Sequence, residues 1–182
     1  MYQKNKQLKV LALFLDNPYT RFHLRETARK LKMDPMTVKR ALDVLVKEGL
    51  VVFEKDFNRS VYQANMTDLT LRHIKIAYNI YLLRKRKTTE FLLEQMPPVT
   101  AIILFGSMAK GENDLDSDVD LLVISRNKNR PAEELSRMLG REVNLIVFTP
   151  AEWSRQASTN RAFYLDILLD GIPLYGNKPV VE

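Results

Sequence analysis

The chain has no cysteine, which excludes disulfides and thiolate zinc sites. Its two histidines, His23 and His73, stand far apart in sequence, so any metal must be held by oxygen. Long apolar runs are also missing. No segment approaches the roughly 20 residues of a membrane span, and the stretch Ile74 to Leu83 is short and interrupted by Asn79. Met1 to Lys9 lack the apolar core of a secretory signal. These absences predict a cytoplasmic protein with no membrane partner.

Acidic residues are scarce at the front and basic ones at the back. Residues 1–66 carry 13 Lys/Arg against 7 Asp/Glu, residues 67–96 carry 6 against 3, and residues 97–182 carry 9 against 12. A basic front fits a polyanion, and an acidic back collects carboxylates for another purpose. Uneven surface charge is the plainer alternative. The periodicity divides the chain at the same places, into 1–66, a linker helix over 67–96, and 97–182.

Leu8, Leu11, Ala12 and Leu15 recur at helical spacing until Asn17-Pro18, and Leu24, Ala28 and Leu31 give a short second helix. A third begins at Asp34, a good N-cap, with Pro35 at its first position. It buries Val38, Ala41, Leu42 and Leu45 and closes at Gly49. Leu50 to Phe53, a polar turn over 55–60 and Val61 to Gln63 then read as a β-hairpin.

Three short helices followed by a hairpin, with the junction Leu45-Val46-Lys47-Glu48-Gly49-Leu50-Val51, resemble the winged helix-turn-helix family. The resemblance implies binding of duplex DNA. The third helix would enter the major groove with Thr37, Lys39 and Arg40 outward, and Lys55 and Arg59 at the wing would reach phosphates or the minor groove. A winged helix used only for protein contacts is the alternative.

Between Asp68 and about Gln95 there is neither Gly nor Pro, and Leu71, Ile74, Tyr78, Tyr81 and Leu82 form an apolar seam. A single helix of about 40 Å is expected, at about 1.5 Å per residue. Its seam would be covered either by the chain's own domains or by a second copy in a homodimer.

Val99 to Phe105 reads as a buried strand running into Gly106-Ser107-Met108-Ala109-Lys110-Gly111. Ten residues separate Ser107 from Asp118-Val119-Asp120, which opens the apolar run Leu121 to Ile124. Carboxylates at i and i+2 share one face of a strand and can converge on one ion. A merely acidic loop over 112–118 is the alternative.

This order of strand, Gly-Ser turn, short helix and strand with spaced aspartates resembles the nucleotidyltransferase superfamily that includes polymerase beta, and especially its minimal nucleotidyltransferase branch. A mixed α/β fold is implied, an α+β sheet with flanking helices. The resemblance implies that Asp118 and Asp120 hold Mg²⁺ or Mn²⁺, and that Gly106, Ser107 and Lys110 bind a nucleoside triphosphate. It also implies a toxin-antitoxin setting with a small helical HEPN-type protein partner.

The pattern departs from the family at the third catalytic carboxylate, whose position here is Asn144. An amide is no general base and brings no charge to a metal. Glu142 lies two positions earlier, about 6.6 Å along the strand. Lys110 also stands where arginine is common. Two functions therefore compete: a metal-dependent enzyme moving a nucleoside monophosphate to a protein or nucleic-acid hydroxyl, and a transcriptional regulator on a catalytically degenerate, nucleotide-sensing fold.

Overall fold

A computed structural model describes residues 5–56 and 59–181, with the side chains of Asp56 and Arg59 outside the description. The fold is mixed α and β, as expected, and divides into two compact units, Met1–Lys75 and Ile76–Glu182.

The first unit runs α1 (Lys6–Asp16), β1 (Phe22–His23), α2 (Leu24–Leu31), α3 (Pro35–Lys47), β2 (Val51–Asp56) and β3 (Arg59–Ala64). Asn5 caps α1 and Asp34 caps α3, its carboxylate accepting the Thr37 N–H at 2.9 Å. Pro35 takes the first helical position, where its missing N–H costs nothing. Gly49 follows at φ 74°, which turns the chain into the hairpin without a side-chain clash.

The expected buried stripe of α3 is all in the core, but α1 buries Val10 and Phe14 as well as Leu11 and Leu15. Phe14 meets Phe22 edge to face at 5.5 Å. Phe22 belongs to a two-residue strand too short to show a period, and β1 pairs with β3 to give the sheet order β1-β3-β2.

The helix after Asp68 is broken, contrary to the single rod expected. It forms α4 (Leu69–Lys85) and α5 (Thr88–Gln95), with Lys87 between them at φ 54°. A left-handed residue costs about 1–2 kcal/mol outside glycine. Burial offsets it: the turn lets Leu92 and Met96 join the core that holds Leu83, at about 1.5–3 kcal/mol for each large apolar side chain buried. Lys75, on the first half of α4, is buried and donates to the carbonyl of Leu15, at the unsatisfied C-terminal end of α1.

The second unit continues with β4 (Val99–Phe105), α6 (Gly106–Lys110), β5 (Val119–Ser125), α7 (Ala132–Leu139), β6 (Val143–Phe148), α8 (Pro150–Thr159), α9 (Arg161–Asp170) and β7 (Ile172–Tyr175). Its sheet has the order β6-β5-β4-β7, with only the β5–β6 pair parallel. Alternation sorts β5 onto two cores. Leu121 and Val123 pack with Leu92, Met96 and Leu135, while Leu122 and Ile124 pack with Trp153, Tyr164 and Ile167. Asp118 and Asp120 continue the second row past the end of the apolar core.

Candidate active site

The site forms where β4 ends and β5 begins, because Phe105 pairs directly with Asp120. Gly106 follows Phe105 at φ 66°, and a Cβ there would lie 2.1 Å from Asp120 Oδ2. Glycine is thus required twice, by its left-handed backbone and by the carboxylate packed against it. Ser107 is half-buried in the first turn of α6, beside that carboxylate's strand.

Asp120 is half-buried on β5, and Asp118 is exposed in the last loop position before it, not on the strand as expected. On the adjacent strand Asn144 is in register with Asp120, and its Nδ2 donates to Asp120 Oδ1 at 3.0 Å. Burial pushes the Asp120 carboxyl above its ordinary value, the Asn144 hydrogen bond works against that, and the negative charges of Asp118 and Asp166 push it further up. Glu142 stands just before β6, where its carbonyl accepts the Val119 N–H at 2.9 Å. With Ser136 and Arg137 it lines a separate hollow.

Lys110 does not point free into solvent. Its ammonium lies 2.8 Å from Asp166 Oδ1 and 3.1 Å from Asp170 Oδ2, both on α9, and these hydrogen bonds hold its pKa well above the usual lysine value. The sequence pattern does not single out either aspartate. Their i, i+4 spacing on a helix is the available signal, but nothing in the sequence says which cation that helix faces.

The loop before Asp118 is built from polar contacts. Asp114 Oδ1 accepts from Ser117 Oγ at 2.8 Å, which lowers the Asp114 pKa, and from the Asp116 N–H at 3.1 Å. Arg141 donates to the Asp114 carbonyl at 2.7 Å. Buried Asn79 donates to the Met108 carbonyl and to Asn113 Oδ1, at 2.9 and 2.8 Å. The acidic loop is therefore divided in role: Asp114 is committed to the turn, while Asp118 is left exposed at its end.

In the first unit, Arg40 and Lys55 are exposed and Thr37 half-buried. Lys39 is not a free cation as expected, because Asp43 one turn on pairs with it and raises its pKa. The side chain of Arg59 lies outside the described residues.

Residues 85–165 match the model of the nucleotidyltransferase domain family. A curated relative from Methanocaldococcus jannaschii, named "Putative protein adenylyltransferase", is 37% identical over 73 residues, spanning 36% of this chain and 70% of the relative. The chain belongs to the nucleotidyltransferase domain family. Among solved structures, a toxin-antitoxin with AMP-PNP overlaps 55% of this chain and 75% of its own, at 22% identity and a TM-score of 0.40. TrmBL2, an archaeal chromatin protein described as showing a novel mode of DNA binding, overlaps 88% and 68%, at 12% identity and a TM-score of 0.30. Among the described residues no helix is long and apolar enough to cross a membrane.

Proposed function

We propose that the protein transfers a nucleoside monophosphate from a nucleoside triphosphate to a hydroxyl of a protein or nucleic acid, while its first unit, a winged helix-turn-helix, holds it on duplex DNA. The observation that carries the transfer reading is the seating of Asp120 against Gly106, with Asp118 two residues earlier, at the end of the loop that leads into β5.

The donor set fits a hard divalent cation. Among the described residues no three His, Cys, Asp or Glu side chains converge, but Mg²⁺ commonly takes one or two carboxylates and completes its shell with water and substrate phosphates. Asp118 and Asp120 would hold it. When bound, it supplies Lewis-acid neutralisation of phosphate charge. Ser107 would donate to a phosphate oxygen, and Gly106 would let the backbone approach it. Lys110 is held on α9 between Asp166 and Asp170, so it reaches a phosphate only by leaving those carboxylates. Asn144 orients Asp120 and takes no proton, so the acceptor hydroxyl has no general base on β6.

That lack favours the second reading, a transcriptional regulator that senses nucleotide and transfers slowly. One experiment separates them. The whole chain is incubated with each α-labelled nucleoside triphosphate, Mg²⁺ or Mn²⁺ and a cell lysate. Transferred label that disappears in Asp118→Asn/Asp120→Asn supports the enzyme; nucleotide binding without label supports the regulator. Absence of both refutes the nucleotide reading. The same lysate tests for a HEPN-type protein acceptor.

A further inference from the structure

A second concave site lies at the opposite end of the same sheet. β5 and β6 are parallel, and Asp120 pairs with Asn144 while Ile124 pairs with Phe148. Four residues at about 3.3 Å each put Phe148 about 13 Å along the strand from the carboxylate site. The cavity there has a volume of about 310 Å³, at the lower edge of the roughly 300–1,000 Å³ of small-ligand pockets.

Its lining has two characters. Phe148 gives it an apolar wall, its ring set against Trp153 at 6.2 Å, while the Val147 side chain points into the core on the other face of the sheet. Lys128, Arg130 and Arg155 surround that wall, with Glu152 the lone anion of the lining. Lys128 is committed to Glu152 at 2.8 Å, but the guanidinium groups of Arg130 and Arg155 have no hydrogen-bond or ion-pair partner among the described residues. Two unpaired guanidiniums thus share one cavity, in a segment whose net charge is −3.

We propose that this cavity binds a nucleoside monophosphate or a close analogue, its phosphate on Arg130 and Arg155 and its base against Phe148. Guanidinium groups match phosphate oxygens in planar, bidentate fashion. A bare phosphate would leave the apolar wall unused, and a nucleic-acid strand would require cations along a track rather than around a hollow. The site is distinct from Asp118 and Asp120 and does not depend on the transfer reading.

The test uses the full chain carrying Asp118→Asn/Asp120→Asn, in EDTA, titrated with AMP by calorimetry. Saturable AMP binding is expected to persist in that background. It should weaken at least tenfold in Arg130→Gln/Arg155→Gln, exposed changes whose thermal melt should match the parent. Ribose 5-phosphate and inorganic phosphate should bind more weakly through the same arginines. AMP binding indifferent to the arginine changes, or no saturable binding at millimolar AMP, would overturn the proposal. So would ribose 5-phosphate binding as tightly as AMP, or capture of a single-stranded oligonucleotide with none of AMP.

Discussion

Gly106 and Asn144 are the two residues on which the candidate site turns. Alanine at 106 meets both a left-handed backbone and the Asp120 carboxylate. Gly106→Ala should lose about 1–2 kcal/mol of stability from the backbone alone, and transfer or nucleotide binding should fall at least tenfold as Asp120 is displaced. A melt and a label-transfer assay on the same sample check both, and wild-type transfer would show that the glycine serves only the turn. Asn144→Asp replaces the donor at 3.0 Å from Asp120 with a second anion. Without metal the two charges repel, and the melting temperature should drop. With Mg²⁺ the added carboxylate supplies a base and a ligand, so transfer should rise about tenfold or more, within the usual reach of general-base catalysis. If transfer is already robust in the wild type and lost in Glu142→Gln, Glu142 has taken over the role instead.

Helix ends carry the element-scale predictions. Thr149 and Glu152 form a reciprocal capping box on α8, and Glu152 also meets Lys128. The Lys128 hydrogen bond, then those from Thr149, bring the Glu152 pKa from 4.5 down to about 2. A carboxyl with a depressed folded pKa stabilises the fold above its unfolded value and loses that contribution as pH falls through the folded one. Glutamine keeps the capping geometry but not the charge. The melting difference between wild type and Glu152→Gln should therefore be largest near neutrality and shrink below about pH 4.5 toward pH 2. A difference constant with pH would assign it to packing. On α3, Asp34→Ala should cost about 1 kcal/mol of stability through the missing cap.

At the scale of the whole molecule, the two proposed activities should separate. Duplex DNA affinity should fall steeply with salt, and Arg40→Ala with Lys55→Ala should weaken it and make the salt slope shallower by roughly one for each phosphate no longer neutralised. Asp118→Asn/Asp120→Asn should leave it unchanged. Affinity insensitive to salt across a mobility-shift series would refute DNA docking through α3 and the hairpin. The chain itself buries Leu71 and Tyr78 of the α4 seam, so a homodimer is proposed only from the two-fold habit of such regulators. Monomer alone in sedimentation at high micromolar concentration would refute it.

Much of the molecule is determined locally. The α3 cap, the Gly49 turn and the alternation of β5 depend on neighbours a few residues away, so spacing reveals them. The approach of Gly106 to Asp120 is legible too, because a strand, a tight turn and a returning strand leave few ways to fold. Tertiary structure decided the rest. Lys87 breaks the helix because burying Leu92 and Met96 outweighs a local preference that no glycine marked. Lys110 is paired by aspartates 56 and 60 residues away, and Phe22 becomes a strand only when β3 lies beside it. Such pairings are set by which faces meet across the core, and periodicity fixes a face without naming its partner.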